Sequence, residues 1–292
     1  MSVFVLGALH LDVILSAPHL PREDETVTGS AVRYAIGGKG GNQALAAARH
    51  GAVAGMAGRV GDDRFGAELL EGLSRGGVDR SQVQQGMGPS GMSAAIVQSD
   101  GSYGAVIVSG ANLEIEAGRV RLPQDARVVL LQNEVPEAVN LRLAQEAQAR
   151  GVPVILNAAP YRAMSAALLG TVSTLVVNRI EAEQMSGRKI PDVAAAEEVA
   201  AGLAGTEVLL TLGAQGVVRA TQDGTGHHPA HPVTQRATHG AGDAFVGALA
   251  ARRAQGLADG LAYAQAAAAL HVSRADPDRI TPEEVLRLMG ST

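Results

Sequence analysis

Hydrophobic and polar positions alternate along this chain in blocks of two kinds. Short apolar runs with few polar residues predict buried strands, and they lie at 3–9, 128–132, 153–157, 174–178 and 207–213. Between them, segments with a helical period predict helices at 43–52, 137–151 and 195–205. A glycine ends the second and third of these segments, as is typical of a helix C-terminus. Alternating strands and helices of this length predict a parallel, doubly wound α/β sheet.

Two regions interrupt this rhythm. Residues 13–36 alternate between apolar and polar positions and leave no room for a helix, and residues 90–109 form two strand-like runs around a short turn. They predict a small antiparallel β-sheet outside the main fold, which we call the lid. The predicted boundaries are therefore 1–12, 37–89 and 110–292 for an α/β core that binds nucleotide and substrate, and 13–36 with 90–109 for the lid.

Composition narrows the classes of function. The chain has 292 residues, enough for one large α/β domain, and its formal net charge of −5 without a basic block disfavours nucleic acid as a partner. It has no cysteine, which excludes disulfides and thiolate catalysis and fits a cytoplasmic enzyme. No apolar run approaches the length of a membrane span, and Asp12 inside the first apolar run favours a buried strand over a signal peptide.

The first glycine-rich stretch covers residues 37–41, just before a predicted helix. It contains four glycines around Lys39, and Asn42 and Gln43 follow. Glycines let a ligand approach the backbone, and a helix N-terminus favours polar or anionic groups. A tight turn that packs helix against strand is the alternative. The spacing does not fit a Walker A loop.

The second glycine-rich stretch runs from Gly240 to Asp243, ahead of an alanine-rich apolar segment. Backbone N–H groups at a helix start stabilise the negative charge that develops in phosphoryl transfer. Asp243 is placed to take a proton from a substrate hydroxyl. The alternative is an acid that only stabilises the helix dipole.

Polar and glycine residues also follow two later strands. Asn178 and Glu181 are three apart, a spacing suited to orienting magnesium-bound water around a nucleoside triphosphate. Thr211, Gly213 and Gly216 suit a close approach of phosphate or ribose. A dinucleotide-dependent dehydrogenase is disfavoured, because no G-x-G-x-x-G follows the first strand.

Two stretches carry a resemblance to a known family. GGKGGNQALAAARHGA at 37–52 and THGAGDAFVGAL at 238–249 resemble the signatures of the ribokinase (PfkB) family of sugar and nucleoside kinases, and the likeness covers nearly the whole chain. DETVTG, NEVP at 133–136 and NRIEAE are most similar to its ribokinase branch. The resemblance implies a mainly parallel sheet flanked by helices and a β lid that forms a homodimer contact. It also implies transfer of the γ-phosphoryl group of ATP, with Mg²⁺, to a primary hydroxyl of a pentose or related sugar.

The resemblance implies a role for each matching position. Asp243 matches the catalytic base, and the anion hole matches Gly240, Ala241 and Gly242. The sugar-binding positions match His10, Asp12, Gly38, Lys39, Asn42 and Glu134. The nucleotide-binding positions match Asn178, Thr211, Gly213 and Gly216, while Glu181 matches a magnesium position that acts through water. Gln265 lies near the adenine-binding region, with a partly exposed helix residue as the alternative.

This sequence departs from the family pattern at three places. His10 stands where ribokinases usually have Asn, and we interpret it as facing the ligand, which puts ribose itself in doubt. Ala237 replaces an acid associated with a monovalent-cation site, and residues 273–284 lack the pattern that completes that site, so we expect weak or absent potassium activation. A nucleoside kinase and a non-catalytic sugar- or nucleotide-binding regulator remain the alternatives.

Overall fold

The computed structural model of the protein describes residues 2–98, 102–203, 207–236, 239–274 and 276–290. Four sequence predictions therefore fall partly outside the described residues. They are the centre of the turn in the hairpin at 90–109, the glycine that ends the predicted helix at 195–205, the departure at Ala237 and one position of the departure at 273–284.

A nine-stranded sheet forms the centre of the described structure, in the order β13-β12-β11-β10-β9-β8-β1-β4-β5. Its strands are β1 (Val3–Leu6), β4 (Ala54–Gly61), β5 (Asp79–Gly86), β8 (Val128–Gln132), β9 (Val154–Asn157), β10 (Thr174–Asn178), β11 (Glu207–Thr211), β12 (Val217–Thr221) and β13 (Gly224–His228). From β5 to β11 all neighbours are parallel, and β12 and β13 add an antiparallel edge. The five apolar runs are thus confirmed as strands of a mainly parallel sheet.

The two faces of this sheet bury separate apolar cores, as β8 illustrates. Val129 and Leu131 pack in the same cluster as Leu143, whereas Val128 and Leu130 pack on the opposite side. Successive side chains of a strand point to opposite faces, so a strand covered on both sides must be apolar at every position. This explains why the runs predicted as strands show no polar alternation.

Helices cover both faces of the large sheet. They are α1 (Lys39–Arg49), α2 (Arg64–Arg75), α3 (Glu137–Ala149), α4 (Ala166–Leu169), α5 (Arg179–Ser186), α6 (Val193–Gly202), α7 (Ala241–Ala254), α8 (Gly260–Ser273) and α9 (Pro282–Met289). The three predicted helices correspond to α1, α3 and α6, and Gly151 follows α3 with φ 66°, as its C-terminal glycine predicts. None of the described helices combines the length and apolar character that crossing a membrane requires.

A four-stranded sheet, the lid, stands apart from the large sheet in the order β3-β2-β6-β7. Its strands are β2 (His10–Ser16), β3 (Ala31–Gly37), β6 (Gly91–Val97) and β7 (Tyr103–Val108). The β2–β3 and β6–β7 pairs are antiparallel as predicted, but β2 and β6 run parallel, so the lid sheet is mixed. Strand β2 also begins at His10, inside the segment assigned to the core from the sequence.

Asn112 joins two of the four connections between the lid and the core, the one before β2 and the one after β7. Its side-chain oxygen accepts the N–H of Leu9 at 2.9 Å, and its amide nitrogen donates to the carbonyls of Leu9 and Ser109, both at 2.8 Å. Asn112 is fully buried. A single side chain therefore fixes the segment that enters the lid at Leu9 to the segment that leaves it at Ser109, which the sequence pattern did not indicate.

Candidate active site

Helix α7 starts without a side-chain cap. Its N-cap residue is Gly240, with φ 80°, and no side chain among the described residues caps the helix. The first N–H groups of a helix have no partner inside it, so those at the start of α7 remain available to a ligand. A Cβ added at Gly242 would meet nothing within 4 Å. Within the part of the chain that the structure describes, the start of the helix thus leaves space beside Gly242 for a ligand.

Asp243 lies in the first turn of α7, and its carboxylate is held by two amides from α1. Gln43 Nε2 donates to Oδ1 at 2.9 Å, and Asn42 Nδ2 donates to Oδ2 at 3.3 Å. The helices approach closely enough for this because Gly247 lacks a side chain: a Cβ there would lie 2.5 Å from the Cβ of Ala46. The structure thus joins the two glycine-rich stretches that the sequence singled out.

A buried chain of amides fixes the orientation of this contact. Gln132 Nε2, at the end of β8, donates to Gln43 Oε1 at 2.7 Å, and both glutamines are fully buried. A carboxylate only accepts hydrogen bonds, so the Gln43 amide must direct its nitrogen toward Asp243 and its oxygen toward Gln132. Gln43 and Gln132 were not identified as site residues from the sequence.

Helix α1 starts directly after β3 of the lid, and the side chain of Glu134 accepts the first N–H of this helix. The N-cap residue Gly38 has φ 79°, and a Cβ there would lie 2.6 Å from the Ala8 carbonyl oxygen. The N–H of Lys39 donates to Glu134 Oε2 at 2.7 Å. Burial raises the pKa of Glu134 to about 7, aided by the nearby charges of Asp243 and Asp12 and opposed by Lys39.

The lid contributes His10 and Asp12 to the same region. Ser93 Oγ donates to Asp12 Oδ1, and Asp12 Oδ2 lies 3.9 Å from His239 Nε2, just ahead of α7. His10 is 2% exposed, and its Nε2 has no hydrogen-bond partner in the described part of the chain. Burial lowers the pKa of His10, opposed by Asp12 and assisted by Lys39. A buried, unpaired imidazole nitrogen beside Asp12 is suited to a polar ligand atom.

Helix α5 starts in the opposite way, with a complete capping box. Asn178 Oδ1 accepts the N–H of Glu181 at 2.9 Å, and Glu181 Oε2 accepts the N–H of Asn178 at 2.8 Å. Burial raises the pKa of Glu181, and Lys39 and Asp243 are close enough to influence it. Over the residues that the structure describes, no group of three or more His, Asp or Glu side chains forms a metal cage.

The remaining predicted nucleotide residues form two groups. Thr211 lies beside Asn178 in the register of β10 and β11, at the same sheet edge as Glu181. Gly213 and Gly216 flank the turn after β11, with φ 61° and 96°. Gln265 on α8 donates its side-chain amide to the carbonyls of His228 and Pro229, at 2.9 and 3.2 Å.

Gly216 packs against the same loop that Gln265 binds, since a Cβ at Gly216 would lie 2.1 Å from the His228 carbonyl oxygen. Gln265 and Gly216 thus contact the same loop, and the side-chain amide nitrogen of Gln265 has protein partners there. The site as a whole brings the sugar-binding candidates together around Asp243, while the nucleotide candidates lie along β10, β11 and α8.

Comparison with known proteins places this geometry in a family. The pattern described as pfkB family carbohydrate kinase matches residues 1–284. The ribokinase of Bacillus subtilis is 32% identical over 277 residues, covering 93% of this chain and 92% of that protein. The deoxyribokinase of Salmonella typhi is 30% identical over 261 residues, covering 86% of this chain and 85% of that protein.

Solved structures agree. The structure of Arabidopsis thaliana ribokinase complexed with ribose and ATP superimposes with a TM-score of 0.89 at 29% identity, covering 99% of this chain and 98% of that chain. The likeness therefore extends over both sheets of this chain.

Proposed function

This chain belongs to the pfkB family of carbohydrate kinases, and we propose that it transfers the γ-phosphoryl group of ATP to a primary hydroxyl of a pentose. The observation that carries the proposal is the uncapped start of α7 with Asp243 in its first turn, held by Asn42 and Gln43. The relatives that act on ribose or deoxyribose support a pentose as acceptor.

The proposed mechanism uses Asp243 as general base. Its carboxylate takes the proton of the acceptor hydroxyl as the oxygen bonds to the γ-phosphorus, and the bond from phosphorus to the β–γ bridging oxygen breaks to release ADP. The N–H groups at the start of α7, from Gly240 to Asp243, stabilise the negative charge on the transferring group. The amides of Asn42 and Gln43 hold the base in place, which limits the reorganisation needed for transfer.

We propose that the other sugar hydroxyls bind between α1 and the lid. Asp12, Lys39, Asn42 and Glu134 offer charged and polar groups there, and Gly38 lets the backbone approach the ligand. The unpaired Nε2 of His10 is a further partner, and an acceptor that leaves it unpaired loses affinity because a buried polar atom stays unsatisfied. His10 is thus the residue that we expect to discriminate between closely related sugars.

ATP is proposed to lie along β10, β11 and α8, with phosphates directed toward α7. Thr211, Gly213 and Gly216 border this path, and Gln265 stabilises its outer wall through the loop that follows β13. The residues fit a magnesium ion that arrives with the nucleotide, because Mg²⁺ is usually bound by one or two carboxylates plus substrate phosphates. Glu181 would hold that ion through water, and the ion would neutralise phosphate charge. No strong potassium requirement is proposed.

The lid is proposed to close over the acceptor and to form a homodimer contact. Residues opposite each other in paired strands share a face, so Asp12 and Ser93 lie on one face, and Val32, Tyr34 and Val106 on the other. Those three residues are more than half exposed. An apolar face turned away from the site is suited to a second copy of the chain, and Tyr34→Glu should shift a dimer to monomer in light-scattering measurements. We also propose that the protein acts in the cytoplasm, where ATP is available as the phosphoryl donor.

The test is phosphoryl transfer from ATP and magnesium across ribose, 2-deoxyribose, other pentoses, hexoses and nucleosides, with product mass as the readout. We expect one phosphate added to a pentose and no product from nucleosides. A phosphorylated nucleoside with unreacted pentoses would replace the proposal by a nucleoside kinase. Sugar binding without any product would favour a regulator.

A further inference from the structure

The C-terminal end of α8 forms hydrogen bonds with the segment that leads into α7. His271, in the last turn of α8, lies with its Nε2 2.9 Å from the carbonyl oxygen of His239. Nearby, the N–H of Arg236 donates to the carbonyl of Val272 at 2.7 Å. The end of one helix thus holds the chain at two points shortly before the anion hole begins.

The imidazole also packs directly against the N-cap of α7. A Cβ added at Gly240 would lie 2.9 Å from His271 Nε2 and 3.2 Å from its Cε1. With φ 80° at the same residue, this position accepts glycine and excludes larger side chains. The ring of His271 thus lies against Gly240, the residue that precedes the first turn of α7, and leaves no room for a side chain there.

The hydrogen bond identifies the form of the imidazole. A carbonyl oxygen only accepts, so Nε2 must carry the proton, while Nδ1 is buried without a partner among the described residues. Burial lowers the pKa of His271, opposed by the bond to His239 and by Asp278 and Asp243, and assisted by Arg49. These observations agree on a neutral ring that donates from Nε2.

We propose that His271 is a positioning residue for phosphoryl transfer: its Nε2–H holds the His239 carbonyl and so fixes the turn that aims the anion-hole N–H groups. The inference rests on the proposed function. A carbonyl at this point can be held by a bound cation or by an N–H donor, and this chain supplies the donor.

The experiment replaces His271 with side chains whose amide nitrogen lies either near the position of Nε2 or near that of Nδ1, or that have no amide. In His271→Gln the nitrogen falls near the position of Nε2, in His271→Asn it falls near Nδ1, and in His271→Ala there is no donor. We expect kcat to fall about tenfold in the Asn and Ala variants, with the KM for sugar within about twofold of wild type. The Gln variant should stay within about threefold of the wild-type kcat.

Several results would overturn the inference. If all three variants keep the wild-type kcat, or all three lose it equally, the N–H donor has no positioning role. Strong, saturable potassium dependence of the wild-type enzyme would also contradict it, because an ion would then hold the carbonyl. If the Ala variant does not fold, the Gln and Asn variants decide, with sugar binding measured by calorimetry as evidence of a native site.

The proposed function can fail separately. Wild-type protein that phosphorylates no sugar overturns the proposed function and this inference with it. Wild-type activity that is unaffected in the Asn and Ala variants overturns this inference alone.

Discussion

Two helices start at the same edge of the large sheet in opposite ways. Helix α5 begins at Asn178 with a capping box that satisfies N–H groups at its start, whereas α7 begins at Gly240 with no side-chain cap. A capping box satisfies two of the N–H groups at a helix start without a ligand. An uncapped start retains donors for an anion, at the cost of the stability that a cap contributes, about 1 kcal/mol. The two starts therefore differ in how many N–H groups remain for an anion.

Helix α1 is an intermediate case. It also begins at a glycine without its own cap, but Glu134 from the loop after β8 accepts the N–H of Lys39. Because Glu134 is partly buried near Asp12 and Asp243, its proton is retained to about pH 7. Here the cap is a titratable group from another element, so the start of α1 is coupled to pH.

The largest effect is expected at the open start. Asp243→Ala should lower kcat by at least about a hundredfold, since the general base is lost. Asp243→Asn is the matched control for folding, because its side-chain oxygen can still accept from Gln43. Both variants should bind ATP, and near-normal turnover in either would remove Asp243 from the mechanism.

The second prediction concerns Glu134 at the start of α1, and how its contribution to the free energy of unfolding depends on pH. A pKa raised from 4.5 to about 7 means that folded protein holds the Glu134 proton more tightly than unfolded protein does. This contribution to stability is fully present below about pH 4.5 and is lost as pH rises through about 7. The free energy of unfolding of wild type minus that of Glu134→Gln should fall by up to about 3 kcal/mol over this range. A pH-independent difference in urea titrations would refute it.

A third test asks whether the open space beside Gly242 is occupied by the transferring phosphoryl group. Gly242→Ala adds a methyl group where the protein leaves nothing within 4 Å. We expect an unchanged or higher Tm and a kcat lower by about tenfold, because the methyl group occupies the place of the transferring group. Gly202→Ala, also in open space but on α6, is the control and should leave kcat unchanged. Full activity in Gly242→Ala would argue against phosphoryl binding at this helix start.

The smallest effect is expected at the capped start. Glu181→Gln keeps an oxygen that can accept the N–H of Asn178, so the capping box and the unfolding free energy should be retained. Loss of the charge should raise the magnesium concentration for half-maximal rate several-fold. Glu284→Gln changes the same position of the capping box that begins α9 at Thr281, and it should not affect the magnesium dependence. Equal behaviour of the two variants would leave Glu181 with a structural role only.

The order of apolar and polar residues predicted individual strands, but it did not predict contacts between residues far apart in the sequence. The run at 128–132 was recognisable as a buried strand, but nothing in it indicated that Gln132 pairs with Gln43, 89 positions away. The same limit applies to Gln43 and Asp243, separated by 200 positions, and to Asn112 and Leu9, separated by 103. Such contacts depend on how distant elements pack, which hydrophobic periodicity does not encode.

The capping box at the start of α5 could be predicted from the sequence, whereas the direction in which β2 and β6 pair could not. Asn178 and Glu181 have the spacing of a capping box, so their mutual hydrogen bonds were readable from the sequence. The parallel pairing of β2 and β6 was not, because alternation identifies a strand and its two faces but not the direction of its neighbour. The site residues joined around Asp243 were accessible mainly through the two glycine-rich stretches.

The most direct test of the account is a crystal structure with ribose, ADP, magnesium and fluoroaluminate, a mimic of the transferring phosphoryl group. We expect the fluoroaluminate in front of Gly242, accepting hydrogen bonds from the N–H groups at the start of α7, with the acceptor hydroxyl beside Asp243. Fluoroaluminate bound elsewhere, with the start of α7 free of ligand, would contradict it.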